Sequence, residues 1–353
     1  MNYWLGSLCA AVLGLTATVV HAQDTEITQN DYVIDGKDRG VRLSVREKLP
    51  GDKSEFSADE IVVFVHGATY PCIPDFDLDV EGYSWMNYVV EHGMAAYCFD
   101  IRGYGGSTRP AALKQPADEN DPVVRAQTAI RDIDAVVDHV REKHDVDIVN
   151  VIGWSWGAMT SPLFASVHPD KVNRLVLYAP IYDVDEHATF GHGSGLEDPD
   201  RPGHFNPDIG AYRLRGDEGT TERWDNQIIP DDKTEWRQPA VLSAYLEANL
   251  ESDPKSSEYS PPQHRAPNGV LMDLYYSTTG RPLYDATNLT MPTMVIKGTN
   301  DPASLTKDAM GLFEQLTEAP ERQFVLIGDS SHFLTLERKR RELWHQVQAF
   351  LEN

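Results

Sequence analysis

Gly153-Trp154-Ser155-Trp156-Gly157 follows directly on the apolar run Ile148-Val149-Asn150-Val151-Ile152. A strand that runs into a G-x-S-x-G must turn sharply into a helix. The two glycines let the backbone pass close to itself, and the serine sits on the strained corner with its hydroxyl outward. The pentapeptide alone is weak, because glycine and serine fall at this spacing by chance in long chains; its surroundings decide the reading. Downstream, Met291-Pro-Thr-Met-Val-Ile-Lys-Gly298 reads as a buried strand ending in Thr299-Asn300-Asp301-Pro302. Phe324-Val-Leu-Ile327 reads as another, ending in Gly328-Asp329-Ser330-Ser331-His332. Serine, aspartate and histidine thus occur in that order, each leaving the carboxyl end of a strand. A serine hydroxyl is too weakly acidic to attack a carbonyl unaided; it needs an imidazole to take its proton and a carboxylate to hold the imidazole's tautomer. Ser155 is therefore the candidate nucleophile, His332 the candidate base and Asp301 the candidate orienting acid.

With these residues in place the chain resembles the α/β-hydrolase superfamily, from roughly residue 31 to the C-terminus with a variable insert in the middle. The resemblance extends upstream. Ile61-Val-Val-Phe-Val65 reads as a buried strand, and His66-Gly67-Ala68 after it matches the family's oxyanion loop. It implies that the backbone N–H groups of Ala68 and Trp156 meet the tetrahedral oxygen, each such donor worth about 3 kcal/mol. His66 is expected to support that loop without moving protons. Asp100-Ile-Arg-Gly-Tyr-Gly-Gly-Ser107 looks like the family's glycine-rich turn and reads as architecture. Some relatives take the acid from the strand before the cap, which makes Asp183 the alternative to Asp301.

The implied fold is α/β: a mostly parallel sheet flanked by helices, with a cap inserted between the strand ending near 181 and the strand starting near 291. The core is expected over 23–184 and 291–353 and the cap over 185–290. Strands are expected at Asp31–Asp35 and Val41–Val45. Val123, Ala126, Ile130, Ile133, Val137 and Val140 recur at helical spacing, with Asp121 as N-cap and Pro122 as first helical residue. Pro162 falls two turns into the helix after Ser155, where a kink is expected. The cap's many aromatics are read mainly as its small core.

Composition bounds the remainder. A chain of 353 residues, 41% hydrophobic, can build one large core and a lid. Met1 to Ala22 carries no charged side chain, has an apolar body and closes on Val20-His21-Ala22, so 1–22 reads as a cleaved signal peptide. A secreted or periplasmic protein is expected, with an uncleaved anchor as the alternative because Lys and Arg are missing from the start. The net charge of −24 disfavours nucleic acid and anionic membranes. No stable membrane association is expected after signal removal, and the oligomeric state is left open. Cys72 and Cys98 lie in segments that are neighbours in the family's sheet, leaving a disulfide or two buried thiols open.

His187, His192 and His204 match no ligand spacing, so neither metal nor cofactor is expected. Trp156 after the elbow is similar to haloalkane dehalogenases and proline iminopeptidases. Ser155 excludes the dehalogenase route, which needs an aspartate, but a substrate-facing Trp156 indole remains one reading beside plain packing. Ala68-Thr69-Tyr70 stands where the iminopeptidases carry further glycine and proline. The expected activity is therefore hydrolysis of a small-molecule carboxylic ester or lactone. An amide hydrolase or aminopeptidase is the alternative, with Asp185, Glu186 or Glu222 binding a substrate ammonium. A fold relative that only binds a ligand is the third class, disfavoured because all three site residues are present.

Overall fold

Residues 26–182 and 187–353, with Met1, are described in the computed structural model. The signal stretch after Met1 lies outside the described residues, as do Asp183, Asp185 and Glu186. Among the described residues ten strands form, β1 (Ile27–Asp35), β2 (Arg42–Pro50), β3 (Ile61–Val65), β4 (Ala95–Phe99), β5 (Val149–Trp154), β6 (Val172–Tyr178), β7 (Tyr212–Arg215), β8 (His264–Pro267), β9 (Thr293–Gly298) and β10 (Arg322–Ile327). The main sheet has the order β1-β2-β4-β3-β5-β6-β9-β10. From β4 to β10 every pairing is parallel, and the antiparallel β1–β2 hairpin extends one edge. The expected mostly parallel sheet is therefore present, with opening strands that begin or run on beyond the expected stretches.

Its centre shows why the strands read as continuous apolar runs. All five residues of β3 are fully buried, and their side chains alternate between two cores. Ile61, Val63 and Val65 pack with Ile133 and Val137 of the helix Ala126–His144 and with Met159 and Phe164 of the helix Gly157–Val167. Val62 and Phe64 pack with Trp85 and Val89 of the helix Trp85–Glu91 and with Leu343 and Trp344 of the helix Arg340–Leu351. Covering both faces leaves the carboxyl ends of the parallel strands as the open edge on which a site is built.

The helix Ala126–His144 starts later than its sequence pattern suggests, and Asp121 is not its cap. Val124 takes a left-handed φ of 62° and the Val123 carbonyl accepts from the Gly269 N–H at 2.8 Å. The first free N–H, that of Ala126, donates to the Asp273 carboxylate at 2.7 Å, and Arg125 donates to the same group at 2.9 Å. A distant acid has displaced the local cap. The helix after Ser155 runs from Gly157 to Val167 with Pro162 inside it, and the Gly157 carbonyl accepts from the Ser161 hydroxyl at 2.7 Å.

Cys72 and Cys98 are joined as a disulfide, with Cα atoms 5.8 Å apart. It ties the start of the short helix Cys72–Phe76 to β4. Asp100 reinforces the same junction, since its carboxylate accepts from the N–H groups of Cys72 at 3.1 Å and Gly106 at 2.9 Å. Between β6 and β9 lie the antiparallel pair β7–β8 and the helices Asp217–Asp225, Pro239–Glu251 and Gly269–Ser277. Trp224, Tyr245 and Tyr275 are fully buried there, so these aromatics pack as core.

Candidate active site

β5 delivers Ser155 onto a corner with φ of 58°, a left-handed backbone costly for any side-chain-bearing residue. The Ser155 N–H donates to the Tyr178 carbonyl at 2.9 Å, which pins the corner to the end of β6. The flanking glycines are sterically required. A Cβ on Gly153 would overlap the Gly157 carbonyl, and one on Gly157 would overlap that of Val65. The G-x-S-x-G spacing is thus what folding strand, corner and helix into one tight crossing demands.

Asp301 follows β9 and His332 follows β10, and the structure brings them together with His332 Nδ1 2.7 Å from Asp301 Oδ2. The other Asp301 oxygen accepts from the N–H groups of Ala303 and Ser304, each at 2.9 Å. Burial pushes the Asp301 carboxyl up, but the His332 charge and hydrogen bond, with Lys297 behind them, hold it below the usual carboxylate range. An ionised Asp301 only accepts, so Nδ1 carries a proton, and whenever the ring is neutral Nε2 is the nitrogen with the free lone pair. Ser155, His332, Gly67 and Ala68 line one small cavity. Asp183 lies outside the described residues.

The loop after β3 presents its backbone to this cavity. His66 is fully buried; its Nε2 accepts from the Ile101 N–H at 3.0 Å, so its Nδ1 donates to the Gly67 carbonyl at 2.8 Å. Burial keeps this ring neutral by pushing its pKa down. It supports the loop, as expected. The Gly67 N–H donates to Asp75 Oδ2 at 3.2 Å. Among the described residues, neither the Ala68 nor the Trp156 N–H has a protein acceptor.

The indole of Trp156 turns away from this cavity. It is fully buried and donates to Asp273 Oδ2 at 3.2 Å, so it packs and braces the insert. The substrate-facing reading of that ring is therefore corrected: Asp273 takes its donor, and only the backbone N–H remains for the site.

Other residues at the site were not legible in the sequence. Gln227 Oε1 accepts from the His332 N–H at 3.0 Å, and the His332 carbonyl accepts from the Trp154 indole at 3.1 Å and the Tyr178 hydroxyl at 2.9 Å. Glu337 accepts from the Ser331 N–H at 3.0 Å and from the Trp224 indole at 3.0 Å. Glu337 had a faint signal, an acid directly after the apolar run Phe333-Leu-Thr-Leu336. Gln227 had none, its partner being 105 residues away. Asp75 lines the small cavity, and burial pushes its carboxyl well above the usual range.

A larger cavity of about 550 Å³ opens beside Ser155 and Ala68 and is also lined by Arg213, Arg215 and Arg223. Arg223 borders both cavities. Among the described residues no group of three His, Cys, Asp or Glu side chains could hold a metal. His187 Nε2 instead lies 3.1 Å from the Ala303 carbonyl. No helix among the described residues is long and apolar enough to cross a membrane.

Known proteins share this arrangement of strands. A family model described as alpha/beta hydrolase fold matches residues 60–339. The enol-lactonase from Burkholderia xenovorans LB400 superposes with a TM-score of 0.55 at 14% identity, over 91% of this chain and 100% of that one. A thermophilic esterase from Thermogutta terrifontis, solved with malate bound, gives a TM-score of 0.57 at 16% identity, over 92% of this chain and 98% of the other. The poly(3-hydroxyalkanoate) polymerase subunit PhaC of Thiocystis violacea is 50% identical over 44 residues, which is 12% of this chain and 12% of that protein. The chain thus spans about an eighth of the length of the curated relatives it matches.

Proposed function

Because the chain belongs to the α/β-hydrolase fold family, we propose that it is a serine hydrolase cleaving a carboxylic ester or lactone through an acyl-enzyme on Ser155. The observation that carries this reading is the His332–Asp301 contact of 2.7 Å, with His332 lining the same cavity as Ser155 on its strained corner. In the proposed reaction Ser155 Oγ attacks the carbonyl carbon while His332 Nε2 takes the hydroxyl proton. The carbonyl oxygen gains the negative charge and accepts from the Ala68 and Trp156 N–H groups. On collapse, the bond to the alkoxy oxygen breaks and His332 returns the proton to that oxygen. Water then repeats the sequence on the acyl-serine, with His332 again the base, releasing the carboxylic acid and restoring the serine.

The alternative, an aminopeptidase, needs an acid to meet a substrate ammonium. Glu222 is exposed and does not border the larger cavity, while Asp185 and Glu186 lie outside the described residues. The cavity lining supports the ester reading over this one, because an ammonium there would face guanidinium groups. A turnover panel of nitrophenyl esters, lactones and aminoacyl anilides tests the assignment. Ester or lactone turnover is expected, falling on the order of 10⁴-fold in Ser155→Ala. Near-normal turnover by a cleanly folded Ser155→Ala protein sinks it.

A further inference from the structure

Three arginines border the cavity beside Ser155, in a chain whose net charge is −24. Arg213 is anchored from behind: it donates to the Pro267 carbonyl at 2.8 Å, to Asn268 Oδ1 at 3.1 Å and to the Thr69 hydroxyl. Arg223 lies against the ring of Phe333, the residue after His332, its guanidinium carbon 5.7 Å from the centroid. Arg215 stands on the same strand as Arg213, two residues on, and so faces the same side of β7. Among the described residues none of the three forms an ion pair with a carboxylate, although acids outnumber Lys and Arg by 55 to 31.

Burial, together with the mutual repulsion of these cations, pushes the Arg213 guanidinium down to about 10 and lowers Arg215 as well. Like charges held together in a half-buried cavity destabilise one another until an anion enters. A guanidinium presents a planar fork of donors that matches the two oxygens of a carboxylate or the oxygens of a phosphate. The cavity volume of about 550 Å³ also admits a small substrate whose other end reaches Ser155.

Resting on the ester-hydrolase reading of this site, we infer that the substrate carries an oxyanion, a carboxylate or phosphate, gripped by Arg215 and Arg223. Arg213 holds the floor of the cavity and the loop bearing Thr69. Arg223, on the border of both cavities, sets the distance between the anionic group and the scissile carbonyl.

Two readouts separate this inference from the reading beneath it. The first is calorimetric binding of glutarate and of glycerol 3-phosphate to the Ser155→Ala protein. One or both should bind, weaken on raising salt, and bind at least about tenfold more weakly after Arg215→Gln or Arg223→Gln, as expected for a lost charge-assisted hydrogen bond. Which of the two anions binds distinguishes a carboxylate from a phosphate substrate. The second readout compares kcat/KM of the otherwise native enzyme on nitrophenyl butyrate and on the nitrophenyl monoester of glutarate. The charged ester should be preferred, and the preference should fall about tenfold in either arginine variant, mainly through KM.

Turnover of esters with no preference, together with no binding of either anion, overturns the inference and leaves the hydrolase reading standing. Arginine-dependent anion binding without turnover of any ester sinks the hydrolase reading and keeps the anion site. Should an arginine variant fail to fold, the salt dependence of wild-type anion binding and of its charged-ester KM decides the matter, a flat response counting against the inference.

Discussion

At Asp301 both carboxylate oxygens are committed, one to two backbone N–H groups and the other to His332 Nδ1. In the proposed reaction the group therefore fixes the ring's tautomer and stabilises the imidazolium formed when His332 takes the serine proton. Asp301→Asn preserves size but offers Nδ1 an amide that can present a donor, which favours the wrong tautomer. Its kcat should fall by roughly 10³ to 10⁴ with the fold retained. Asp183→Asn should change kcat by less than about tenfold. The reverse ranking, measured on the best ester, would transfer the acid role to Asp183. Of the candidate-site residues, Ser155, Asp301 and His332 were legible because each follows an apolar strand. Gln227, Asp75 and the arginines were not, since what makes them part of the site is a neighbour far away in the chain.

At the scale of elements, the insert between β6 and β9 braces the core. Asp273, from its helix Gly269–Ser277, caps the helix starting at Ala126, pairs with Arg125 and takes the Trp156 indole. Burial raises its pKa from 3.8 to about 6 despite these partners, of which Arg125 offsets the burial most. A carboxyl raised in the folded state binds more protons there than in the unfolded chain. Its stabilising share is therefore full below pH about 4 and is lost as pH rises through about 6. The stability of the native protein relative to Asp273→Asn should fall across that window, by at most about 3 kcal/mol. Denaturant titrations at about pH 4 and about pH 7 measure this; a relative stability that rises with pH would contradict the shift. The same carboxylate explains why helical periodicity misplaced the helix start: Val123 belongs to the apolar pattern, yet its carbonyl is engaged by the insert.

For the whole molecule, the mostly parallel sheet and its central strands followed from the spacing of apolar runs, because strands covered on both faces are apolar throughout; the strand order and the bounds of the opening strands did not. The insert was legible only as an interruption of that alternation. Its role emerges from contacts across the fold: Trp224 stacks against Phe333 with centroids 4.9 Å apart, Gln227 holds the His332 backbone, and Arg213 holds Thr69. Core strands thus supply the proposed nucleophile, base and acid, while the insert secures the base loop and supplies the cationic wall. The central claim, that this assembly activates Ser155, is tested most directly by incubating the protein with a fluorophosphonate and mapping the adduct by peptide mass spectrometry. One stoichiometric adduct on the peptide carrying Ser155, absent from Ser155→Ala, is the predicted result. An unmodified Ser155 in the folded protein, or an adduct on another serine, would contradict it.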